Sequence, residues 1–68
     1  MINVTELSEA IKGSGKKRSY LAEKLGIGQA SFYNKAYGLT EFTAREMLIL
    51  SEELNLNDQE SRQIFLTK

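Results

Sequence analysis

No cysteine, histidine or proline occurs in the 68 residues. Without cysteine there is no disulfide framework, and without cysteine or histidine there is no thiolate or imidazole metal site. Neither a metal nor a cofactor is therefore expected. The missing histidine also removes the commonest proton-transfer group, leaving acid–base work to carboxylates, lysines and tyrosines. Glu52 and Glu53 are adjacent, so on a helix they point about 100° apart and cannot converge on a substrate. No glycine-rich loop follows a strand, because Gly13-Ser14-Gly15 only breaks a helix. So short a chain also has little room for a pocket of the usual ~300–1,000 Å³. The expectation is that it is not an enzyme. Long apolar runs are lacking too: none approaches the roughly 20 residues of a membrane span, and no signal peptide is visible. With 41% hydrophobic and 26% charged residues the composition is globular rather than disordered. The reading is a cytoplasmic, all-α single domain over residues 1–68, with no membrane partner.

Net charge is absent as well. Nine lysines and arginines balance nine aspartates and glutamates, which at first sight argues against a nucleic-acid partner. The balance hides a polarity. Up to Ala36, Lys12, Lys16, Lys17, Arg18, Lys24 and Lys35 face only Glu6, Glu9 and Glu23, leaving a net +3. From Tyr37 onward the excess is −3. Opposed halves of this kind suggest a basic face and an acidic face.

What is present is helical periodicity, and it predicts five helices. Val4, Leu7 and Ile11 recur at i, i+3, i+7, with Asn3 as N-cap and Glu6 three residues later. Gly13-Ser14-Gly15 ends that helix. A second begins near Lys17, carries Leu21, Ala22 and Leu25 inward and stops at Gly26, suited to a left-handed cap. A third runs over about 29–36 and is stopped by Gly38. Thr43-Ala44-Arg45-Glu46 fits a capping box for the fourth, on which Met47, Leu50, Ser51 and Leu54 share one face. Leu56 closes the next turn. Asn57 caps the fifth helix with Glu60 at N3, and Ile64 and Phe65 anchor it.

The spacing from Lys17 to Gly38 is the most informative feature. The small Ala22 lets the following helix cross closely, Gly26 takes the sharp turn, and Ile27 and Phe32 plug the angle. Leu21-Ala22-Glu23-Lys24-Leu25-Gly26-Ile27 followed by Phe32 and Gly38 resembles the helix-turn-helix of the phage repressor and Cro family. Phe42, Leu50-Ser51-Glu52-Glu53-Leu54-Asn55-Leu56 and the ending Gln63-Ile64-Phe65-Leu66 are similar to the later helices of small Cro-type regulators from prophages of Gram-positive bacteria. The resemblance implies a compact five-helix, lambda-repressor-like domain with its helix-turn-helix at about 17–37.

It also implies a function: a transcriptional regulator in a lysis–lysogeny switch, acting in the host cytoplasm as two copies on a palindromic double-stranded operator. Carried over by position, Gln29, Ala30, Ser31 and Asn34 would meet base edges. Glutamine and asparagine can pair bidentately with adenine, and an alanine methyl can meet a thymine methyl. Lys17, Arg18, Tyr33 and Lys35 would hold phosphates. Two positions depart from the pattern: Arg18 stands where the family usually has a glutamine that braces the first reading residue, and Gly28 replaces the common serine or threonine N-cap.

Leu48 and Ile49 look partly outward from the fourth helix. Either the inward stripe is broad in a protein short of core, or these two, joined by Phe65 and Leu66, form a dimer or partner interface. The second option supports an alternative function: a modulator or antirepressor that acts by binding a cognate phage repressor protein.

Overall fold

In the computed structural model, which describes residues 2–66, Asn3 opens the first helix α1 (Val4–Ser14). Its side chain accepts the Glu6 amide at 3.1 Å. Met1, Thr67 and Lys68, which belong to the expected 1–68 domain, lie outside the described residues. Four more helices follow: α2 (Arg18–Leu25), α3 (Gln29–Ala36), α4 (Ala44–Glu53) and α5 (Asp58–Phe65). No strand occurs among the described residues, so the all-α expectation stands.

Local chemistry sets the boundaries. Thr43 and Asn57 each accept the N3 amide, of Glu46 and Glu60, while those glutamates accept the cap residue's own N–H. Both capping boxes are thus reciprocal, and each cap contributes about 1 kcal/mol to helix stability. At the end of α2, Gly26 adopts φ +74°, where a Cβ would be strained. Its N–H reaches the Glu23 carbonyl and that of Ile27 reaches the Ala22 carbonyl, which closes the helix and turns the chain towards α3. The end of α4 was not foreseen in detail: Asn55 takes φ +59°, and Leu56 N–H bonds back to the Ser51 carbonyl. Asparagine is among the few side-chain-bearing residues that tolerate this region.

Every helix contributes to one core. Leu7, Leu21, Phe32 and Leu50 are sealed from solvent, with Ile11, Ala22, Leu25, Ala36, Leu54 and Ile64 around them. Phe42, from the loop before α4, stands at the centre of an aromatic trio. Its ring meets Phe32 edge-on at 6.2 Å and Phe65 at 5.7 Å. Such pairs add about 0.5–1.5 kcal/mol each beyond the area that they bury.

That trio corrects one expectation. Phe65 is only 6% exposed and belongs to the core, not to an interface. Ile49 is likewise half-buried against the core, since the inward stripe of α4 is broad. Leu48 and Leu66 remain outside, each 62% exposed. α2 packs on α3 and α4, and α1 on α3 and α5, so α4 and α1 back the α2–α3 pair.

Candidate nucleic-acid interface

Two eight-residue helices, α2 and α3, meet across the short turn Gly26-Ile27-Gly28. Ala22 and Phe32 are buried at the crossing and Ile27 is half-buried beside them, as the spacing predicts. With Phe32 and Ala36 facing inward, the amino-terminal turn of α3 is left in solvent. Gln29, Ala30 and Ser31 are all exposed there. Ala30, Tyr33 and Tyr37 continue along the helix at i, i+3, i+7, which aligns them on one exposed strip. Asn34 flanks that strip half-buried, and its carbonyl accepts the Leu39 amide at 2.8 Å. Gln29 borders a shallow groove shared with Ser19, Tyr20 and Glu23 of α2.

The amino ends of these two helices differ from the other three. α1, α4 and α5 are capped by Asn3, Thr43 and Asn57. Lys17 stands at the N-cap of α2 and Gly28 at that of α3, and neither makes a side-chain cap bond. Their first amides stay available and carry the positive end of each helix dipole. Lys17 is exposed at the start of α2.

The basic side chains divide into two groups. Arg18 and the tyrosines come together: the guanidinium lies 5.7 Å from the Tyr37 ring centre and donates to Ser8 Oγ at 3.2 Å. Tyr33 and Tyr37 stack with ring centres 4.6 Å apart. Tyr37 was missed from the sequence, although its i, i+4 spacing from Tyr33 was the available signal. Arg18 is therefore held by Ser8 and by Tyr37 at the carboxyl end of α3, not by Gln29 at its start.

Lys35 belongs to the second group, and here the structure differs from the expected phosphate contact. Its Nζ donates to Glu46 Oε1 at 2.6 Å, and only 16% and 8% of the two side chains are exposed. The cause is helical phase: Lys35 projects from the side of α3 that faces the amino end of α4. The same carboxylate oxygen accepts the Thr43 amide at 2.9 Å, so one group serves both cap and ion pair. Burial alone would push the Glu46 carboxyl up. The hydrogen bonds from Lys35 and Thr43, with the attraction of the Lys35 charge, hold it below its ordinary value.

Lys16 is engaged in a similar way at the far end of α4. Its Nζ donates to the Glu53 carbonyl at 2.6 Å and to Glu53 Oε1 at 3.0 Å. The hydrogen bond from Lys16 is the main cause that lowers the Glu53 carboxyl. Both pairs join the positive half of the chain to the negative half, so part of the charge polarity is satisfied inside the molecule. Of the positive half, Lys12, Lys17, Lys24 and the half-buried Arg18 keep no ion-pair partner among the described residues, and Lys17 and Arg18 stand at the amino end of α2.

The described residues contain no cluster of carboxylates suited to a metal ion, and no helix long and apolar enough to cross a membrane. No protein-family model, curated protein or solved structure matches the chain.

Proposed function

We propose that the chain is a sequence-specific, double-stranded DNA-binding transcriptional regulator of the phage repressor and Cro type, with α3 entering the major groove. One observation carries this reading. The exposed polar start of α3 (Gln29, Ala30, Ser31) is fixed by a tight turn beside a second helix whose amino end is also uncapped and exposed. An α-helix fits the major groove, where these side-chain types can read base edges. Lys17, Arg18 and the α2 amides would then sit against phosphates, with Tyr33 and Tyr37 further along the backbone. Lys35, paired with Glu46, is left out of these phosphate contacts. A lysis–lysogeny switch is the setting that the sequence resemblance suggests.

Duplex selection tests it: purified chain is used to enrich duplexes from a random pool at low salt, followed by anisotropy titration. Convergence on one sequence supports the reading, and failure to retain any duplex contradicts it.

A second reading has its own motive. Two of the six cations in the positive half are taken up by Glu46 and Glu53, which weakens sequence-independent attraction to phosphate. A modulator that binds a cognate phage repressor would need little such attraction. Capture of that repressor by a chain that ignores DNA would favour it.

A further inference from the structure

We propose that α4 carries a self-complementary stripe through which two copies of this chain associate. Arg45, Leu48 and Glu52 are all exposed. Their spacing of i, i+3, i+7 places them within an arc of about 60° on the helix. The stripe therefore reads positive, apolar, negative along its length. Neither Arg45 nor Glu52 has an ion-pair partner among the described residues. Beside it runs a shallow groove between α4 and α5, with Met47 and Leu56 in its lining and Glu52, Asp58 and Arg62 among its polar groups. Leu66 stands near its end, as exposed as Leu48.

The order of charges selects the occupant. A two-fold axis between Leu48 and Ile49 would pack α4 antiparallel on α4 of a second copy. Arg45 then faces the second copy's Glu52, Glu52 faces the second copy's Arg45, and the two Leu48 side chains meet at the centre. A parallel arrangement would set like charge on like. Two-fold contacts have this self-complementary form because the same patch serves both sides. The net charge of zero means that two copies approach without overall repulsion. The patch comprises one face of two short helices, at the small end of interfaces, below about 1,200 Å² in total, where contacts are transient. Charge order then governs partner and orientation more than strength.

This inference does not depend on the DNA reading, and its test contains no DNA. Sedimentation equilibrium of the full chain is expected to show a reversible dimer. Arg45→Glu and Glu52→Arg should each weaken association about tenfold or more, because both contacts become like-charged. Each change suits its end of the α4 dipole, so neither should unfold the helix. An equimolar mixture of the two variants should pair again, and so should the double variant R45E/E52R. The double variant has no net charge, which separates stripe matching from bulk attraction. The proposal is overturned by a wild-type chain that stays monomeric at about 1 mM, by single variants that dimerise as wild type does, or by a double variant that stays monomeric. The first outcome would leave the stripe to a different protein.

Discussion

The ammonium of Lys35 lies 2.6 Å from Glu46 Oε1, joining the last turn of α3 to the capping box of α4. Hydrogen bonds to charged groups of this kind contribute roughly 1.5–3 kcal/mol, a large share of a small domain's stability. Glutamine at N3 still completes a capping box. Glu46→Gln therefore removes the ion pair while keeping the cap, and is expected to lower the unfolding free energy by about that amount. Urea denaturation checks it, and a loss below about 0.5 kcal/mol would mean that the pair behaves as an exposed one.

The same pair makes stability depend on pH with a definite sign. Glu46 is held below the ordinary carboxylate value of 4.5. Its contribution is fully present above that value and disappears as pH falls through the lower, folded-state one. Melting temperature should therefore drop on acidification below about pH 4.5. Glu46→Gln should flatten part of that drop. Glu53 acts in the same direction, but it is more open to solvent than Glu46, with 22% of its side chain exposed against 8%, and so is more screened. Melting curves of both proteins across the acid range would show whether the slopes differ.

Because its charge is already committed, Lys35 should be silent in the salt dependence of DNA binding. Each phosphate contact adds about 0.9 to the slope of log K against log salt. Lys35→Met should leave the slope unchanged, whereas Lys17→Ala should reduce it by about 0.9. A reduced slope for Lys35→Met would return that residue to the phosphate contacts.

Phe65 and Leu48 should part company. Phe65→Ala opens the aromatic trio with Phe42 and is expected to cost about 3–5 kcal/mol at any protein concentration. Leu48→Ala touches an exposed side chain and should change the stability of the single chain by less than about 0.5 kcal/mol at low concentration, with a larger loss only at concentrations where two copies associate. Thermal denaturation at two concentrations separates them.

Much of the fold was legible because short-range rules determine it. Asn3, Thr43 and Asn57 announce their helices by cap chemistry, and Gly26 needs only its lack of a Cβ to mark the turn. The exposed start of α3 follows from helical phase once Phe32 is placed inside. The partners of the charged side chains were not legible. Lys16 meets Glu53 across 37 positions, and Lys35 meets Glu46 across 11 and a loop. Neither pairing has a fixed spacing, so both lysines read as free cations. Phe65 reads both as an anchor of α5 and as an interface residue for a related reason: packing against Phe42, far away in sequence, decides that it is buried.

Reading of bases by α3 is the central claim, and competition binding tests it most directly. The duplex selected by the wild-type chain is titrated beside variants changed at single base pairs, with Gln29→Ala and Asn34→Ala run in parallel. Loss of a bidentate contact is expected to cost about 1–3 kcal/mol and to erase discrimination at one base-pair position while leaving the others intact. Should both variants keep the wild-type affinity and the wild-type preference at every position, α3 does not read the sequence through these residues.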